Sequence, residues 1–91
     1  MELDSRWARR PELKWKTLEE GALIVDECEG KVYRLNATGT EIWKALDGHQ
    51  TVKNIIHRMG LQFAAAEDKI QKDSLKLFQY LLRHDLIERT A

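Results

Sequence analysis

Three histidines, one cysteine and two serines are the side chains of this chain with the most direct claim to chemistry. His49, His57 and His84 have no histidine partner four residues away, and Cys28 has no Cys-x-x-Cys mate. A zinc site would have to be assembled across the fold, with no local ligand spacing to announce it. Neither Ser5 nor Ser74 sits in a nucleophile-elbow sequence, and Ser74 reads as a small packing residue on the apolar side of a helix. Thr38-Gly39-Thr40-Glu41 lacks the glycine run and the lysine of a phosphate loop. Asn36-Ala37-Thr38 matches a glycosylation sequon, but short matches of this kind are common by chance. The residues therefore assign no catalytic group, no metal ligand and no cofactor, and the chain is expected not to be an enzyme.

Bulk properties narrow the class. A length of 91 residues suits one small domain with a modest core. Fifteen basic residues balance fifteen acidic ones, whereas a general nucleic-acid binder is more often clearly basic. A lone cysteine allows no internal disulfide, which fits a reducing compartment. "MELDSRWARRPELKW" contains no apolar run, so no secretory signal is visible, and no stretch approaches a membrane span. A cytoplasmic protein that contacts neither membrane nor nucleic acid is expected.

The elements that must position any site follow from periodicity. Residues 1–13 are polar, hold the only proline, and are expected to form an arm ordered only in part; residues 14–91 form the domain. "KWKTL", "ALIVDE" and "KVYRL" read as short strands joined by two tight turns, hence an antiparallel meander. The period then changes to that of a helix. Thr38 with Glu41 is a candidate capping box, and Asn36 a rival cap. Ile42, Trp43 and Leu46 follow on one face, with Trp43 as a core anchor, and Asp47-Gly48 is a helix stop. Thr51 caps a second helix with Val52, Ile55, Ile56 and Met59 on one stripe, and Gly60 is expected to end it. A third helix is expected over Ala65 to His84, with Ile70, Leu77 and Leu81 on one face. Its apolar arc, widened by Leu75, Phe78 and Leu82, exceeds what packing on one side requires. Lys69, Lys72, Lys76 and Arg83 form a basic stripe opposite. "DLIER" closes the chain as a short strand or tail. The fold class is α+β: a three-stranded meander followed by three helices.

"RLNATGTEIWKALDGHQTVKNII" resembles a known family, the small protein D of pyrroloquinoline quinone biosynthesis and its relatives. The residues that carry the likeness are Leu35, Asn36, Glu41, Ile42, Trp43, Asp47, Gly48, Thr51, Val52, Ile55 and Ile56. "DSLKLFQYLLRHDLIE", opening at Asp73, is similar to the family's closing helix. The resemblance covers roughly Lys14 to Glu88. It implies a non-catalytic module related to winged helix-turn-helix domains. Such a module binds the leader of a ribosomally made precursor peptide and presents it to a modifying enzyme, often a radical S-adenosylmethionine protein.

The resemblance also implies where the leader lies: as an added strand between the third strand and the third helix. Here that means the edge formed by Lys31, Val32, Tyr33, Arg34 and Leu35, walled by Lys72, Asp73, Leu75, Lys76 and Gln79. Both margins of the helix's apolar arc stay open as the wall. Two other classes remain in view. One is a winged-helix DNA binder, supported by the basic stripe. The other is a scaffold subunit of another enzyme. Oligomeric state is not legible from the residues.

Overall fold

A computed structural model describes residues 2–63 and 67–90. In chain order the elements are β1 (Arg6–Arg9), β2 (Lys14–Leu18), β3 (Gly21–Asp26), β4 (Lys31–Asn36), α1 (Ala37–Ala45), β5 (Asp47–Thr51), α2 (Val52–Phe63), α3 (Glu67–Arg83) and β6 (Ile87–Thr90). The expected meander is present as an antiparallel sheet in the order β2-β3-β4. Trp15, Ile24 and Tyr33 lie in register across it, as do Thr17, Ala22 and Leu35. The side chains of Ala22, Ile24, Tyr33 and Leu35 are buried on this inner face. A Cβ at Gly21 would collide with the Leu35 carbonyl oxygen, so glycine is what lets β3 approach β4 at this point.

The N-terminal segment departs from the expectation of a partly ordered arm. Arg6–Arg9 is the central strand of a second antiparallel sheet, in the order β5-β1-β6. Four residues are too few for an alternation to show in sequence, and the arginines that make the segment look solvated are used in long-range bonds. Arg6 Nε donates to the His49 carbonyl at 3.1 Å. Arg9 Nη1 donates to the carbonyls of Trp43 at 2.8 Å and Lys44 at 2.9 Å, satisfying the last turn of α1. Arg10 Nη2 meets Asp85 Oδ1 at 2.7 Å. Backbone carbonyls of Ser5 and Leu3 accept from the amides of Val52 at 3.0 Å and Lys53 at 2.9 Å, so the same segment covers the start of α2.

Three helix boundaries differ from, or decide between, the sequence readings. Asn36 is the N-cap of α1, its side chain accepting from the Gly39 amide at 2.8 Å. Thr38 is already inside the helix, and Glu41 lies 3.7 Å from Lys44 instead of reaching back to a cap. Thr51 Oγ1 accepts from the Asn54 amide at 3.1 Å, as a cap of α2 should. Gly60 does not stop α2, which continues to Phe63. A glycine inside a helix costs about 1 kcal/mol, which a well-packed apolar stripe outweighs. The expected start of the third helix at Ala65 lies outside the described residues. Its end needs no glycine. Asp85 takes φ 59°, the Leu86 amide donates to the Leu81 carbonyl at 2.9 Å, and the Asp85 amide to that of Leu82 at 3.1 Å, which is a Schellman closure.

Asp47-Gly48 follows α1 after the C-cap Leu46 and opens β5. The Asp47 carboxylate accepts from the amides of His49 and Gln50, and the His49 bond chiefly holds its pKa below the usual carboxylate value. Gly48 at φ 86° makes the bend that a side chain would resist.

One core joins both sheets to the helices. It includes Ile24, Ile42, Trp43, Leu46, Val52, Ile55, Phe78, Leu81 and Leu86. Trp43 is fully buried, with the Trp15 ring edge-on at 6.2 Å and its own indole N–H without a hydrogen-bond partner. Trp43→Ala is expected to cost about 3–5 kcal/mol in urea denaturation, a large share of what a small domain possesses. A wild-type midpoint would mean that this packing does not carry the fold. Removing residues 2–10 deletes β1 between two partners and exposes the ends of α1 and α2. The truncated chain is expected to melt more than about 10 °C lower, at about 4–8 °C per kcal/mol for a domain of this size. A disposable arm would leave the melting temperature unchanged.

Candidate functional site

Among the described residues β4 terminates its sheet and pairs only with β3. A strand so placed keeps alternate N–H and C=O groups pointing outward along its free edge. Side chains alternate as well. Tyr33 and Leu35 point inward and are buried, while Val32 and Arg34 point to the opposite face and are exposed. Lys31 is exposed and stands opposite Asp26.

α3 faces this edge through an aromatic bridge. The Tyr33 ring lies 6.4 Å from that of Tyr80 and 5.2 Å from that of His84, and the last two lie 4.6 Å apart. Tyr80 and His84 are one helical turn apart and share a face with Leu77 and Asp73. Leu77 reaches the start of α1, within 3.5 Å of where a Cβ on Gly39 would stand. An apolar and aromatic strip therefore links the free edge of β4 to one margin of α3, where the sequence reading expects a groove. At the hairpin end it opens into a polar cavity of about 360 Å³, whose lining includes Arg10, Lys31, Tyr33, Arg83, His84 and Asp85.

The structure thus separates the residues expected to wall the groove. Asp73 lies on the margin that carries Leu77, Tyr80 and His84, and Lys76 borders it. Leu75 is half-buried on the opposite margin with Gln71, which lines a cavity beside Lys53, Ile56 and His57 of α2. Lys72 and Gln79 are exposed between the two margins, on the solvent side. Three residues of the groove did not stand out in the sequence. His84 looks like a surface histidine, Leu77 looks like core, and Tyr80 carries no reading. The spacing of Asp73, Leu77, Tyr80 and His84 was the available signal, but only the position of Tyr33 shows which margin matters.

Among the described residues, no group of His, Cys, Asp and Glu is placed to hold a metal ion. Among the same residues no helix is long and apolar enough to cross a membrane. α3 is followed by β6, which returns to pair with β1, so no wing hairpin follows that helix.

The family model of Coenzyme PQQ synthesis protein D (PqqD) matches residues 18–87. The chain belongs to the PqqD family. No curated protein sequence matches it. In fold it is similar to the solved structure of TbiB1 in complex with the TbiA(beta) leader peptide, with a TM-score of 0.79 at 15% identity. The match covers 92% of this chain and 98% of that one, so the two share one PqqD-like α+β fold over most of their length.

The aromatic bridge generates a test of the groove's construction. Tyr33→Ala removes a buried ring from the β4 side of the floor, an aromatic truncation of a kind that costs about 3–5 kcal/mol when fully buried. Tyr80→Ala removes a half-buried ring and is expected to cost less. The double variant should fall short of the sum by about 0.5–1.5 kcal/mol, the usual worth of an aromatic pair. Strict additivity in urea denaturation would show that the rings do not support each other across the groove.

Proposed function

We propose that this chain is a non-catalytic recognition module. It binds the leader of a ribosomally made precursor peptide as an added strand on β4, against α3, and presents the peptide to a modifying enzyme of the radical S-adenosylmethionine class. The observation that carries the reading is the free edge of β4 facing the Leu77–Tyr80–His84 margin of α3, in a chain of the PqqD family. The likeness to a structure that holds a leader peptide supports it.

The chemistry is that of strand addition. Main-chain groups of an extended peptide pair with the outward N–H and C=O of β4, which supplies affinity with little regard to sequence. Alternate peptide side chains turn inward toward Tyr33, Leu35, Leu77 and Tyr80, where apolar ones are favoured. Selectivity then falls to the charged residues at the rim. Asp73 and Lys76 border the groove on α3, and Lys31 stands at its hairpin end. The module needs no catalytic group, metal or cofactor for this task. Its partners are the leader and the enzyme, in the cytoplasm where such peptides are made.

An NMR titration of the full chain with a candidate precursor leader peptide tests the assignment. The amides of Lys31 to Leu35 are expected to shift, together with side-chain signals of Tyr80 and His84. For an acidic leader, Lys76→Glu should weaken binding by several-fold, in line with a rim charge contributing up to about 1 kcal/mol. Lys72→Glu, on the solvent side, should change affinity less than twofold. Perturbations confined to α2 or to β1, with β4 silent, would sink strand addition.

A further inference from the structure

The groove uses the edge of β4 and leaves one whole face of the meander unexplained. Strand periodicity and register place Lys14, Lys16 and Leu18 of β2, Leu23 and Val25 of β3, and Val32 and Arg34 of β4 on the face away from the helices. Val32 is 62% exposed and Leu18 37%, while Leu23 and Val25 are half-buried. Val25 and Val32 are cross-strand partners, and Leu23 stands opposite both Lys16 and Arg34. A sheet face left to water ordinarily turns polar residues outward. Here a band of aliphatic side chains lies among cations, the pattern of a surface that receives a partner.

The charges say which kind of partner. Every charged residue on this face is basic: Lys14, Lys16 and Arg34. Lys14 is held by Glu27 at 2.9 Å, whereas Lys16 and Arg34 make no ion pair among the described residues. Asp26, the one carboxylate within the three strands, alternates with Ala22 and Ile24 onto the inner side, opposite Lys31, and Glu19, Glu20, Glu27 and Glu29 stand in the turns at the two ends of the sheet. Leu18 and Arg34 also line a shallow depression of about 520 Å³ with Gly21 and Asn36, closed at the turn by Glu19 and Glu20.

We propose that this face is a second docking surface, which takes an acidic patch with an apolar centre on the enzyme that modifies the bound peptide. The proposal rests on the leader-binding reading. A second copy of the chain is the poorer occupant, because a two-fold contact through this face sets the same cations against each other. Continuity favours the enzyme. A strand added to β4 extends this face by one strand, so an enzyme seated on it reaches the peptide directly. Opposite charge both steers that encounter and fixes its orientation.

The test uses positions on β2, away from the β4 edge. The full chain is titrated against a purified candidate peptide-modifying enzyme of the radical S-adenosylmethionine class, with its precursor present. Leader affinity is measured separately by fluorescence anisotropy, and the melting temperature reports the fold. Lys16→Glu with Leu18→Glu should weaken enzyme binding at least tenfold, leave leader affinity within twofold and leave melting near wild type. Lys16→Arg should bind the enzyme like wild type, and the wild-type contact should weaken as salt rises. Enzyme affinity unchanged in the double variant overturns the proposal. So does wild-type binding to phosphatidylglycerol vesicles that the double variant loses while its enzyme affinity stays intact, since the face then serves a membrane. If the wild type binds the enzyme but not the leader, and the double variant loses the enzyme, the docking surface stands and the leader reading falls.

Discussion

Arg9 joins three parts of the molecule that the chain visits far apart. Its guanidinium donates to the last carbonyls of α1, its cationic carbon stands 5.3 Å from the centre of the Trp15 ring, and its backbone amide donates to the Leu46 carbonyl at 3.1 Å. The next residue repeats the pattern at the other end of the fold. The Arg10 amide donates to the Leu86 carbonyl at 3.1 Å, and its side chain binds Asp85 in the closure of α3. The C-terminal ends of α1 and α3 are thus tied to one short strand. α1 leaves directly from β4, so fixing α1 relative to α3 also fixes the width of the groove between β4 and α3. Exposed ion pairs of this kind are worth little singly. Their value here is geometric, because they act with backbone bonds on both sides of β1.

That dependence explains what was and was not legible in the sequence. The meander and the helices announce themselves because each buries one face of a regular element, and burial imposes a period on residue types. Ile42 with Trp43, and Val52 with Ile55, Ile56 and Met59, are apolar for that reason and are buried as expected. The second sheet has no such signature. β1 and β6 have four residues each and β5 has five, and β5 reads "DGHQT", which looks like a cap and a turn. Pairing between segments so far apart in sequence is a matter of backbone groups, which leave no mark on residue type. The closure of α3 is hidden similarly: Asp85 does what a glycine usually does, and the Arg10 partner that accompanies it lies at the other end of the chain.

The groove was half legible. Strand β4 follows from "KVYRL", and the unusual width of the apolar arc on α3 hinted at a task beyond core packing. Which margin of that arc turns toward β4 depends on the rotation of the helix about its axis. Rotation is set by Phe78, Leu81 and Ser74 packing into the core, and a one-dimensional pattern does not order two margins of one arc. Once the core is filled, Leu75 falls on the α2 side and Tyr80 and His84 fall against Tyr33. The half-buried aromatic residues are the consequence. Their polar hydroxyl and ring nitrogens suit a margin better than the core, and they pack beside the inner side of β4 through Tyr33.

A free strand edge is a hazard as well as a tool, since any extended segment can pair with it. β4 carries both answers to that problem. Lys31 and Arg34 set charge beside the edge, and α3 narrows access to it, so only a chain able to enter an aromatic-floored groove gains the full ladder. Because strand side chains alternate, the same six residues can meet two partners without conflict. Tyr33 and Leu35 point inward, Val32 and Arg34 point out across the sheet, and the outward backbone groups are those the proposed peptide would use. A peptide paired to β4 would inherit that alternation, its inward side chains read by this chain and its outward ones left accessible to another protein. If the chain holds a peptide for an enzyme, as proposed, a strand is better suited to the task than a deep pocket. A pocket would enclose the segment it recognises, whereas strand pairing binds the peptide main chain and leaves half of the side chains open.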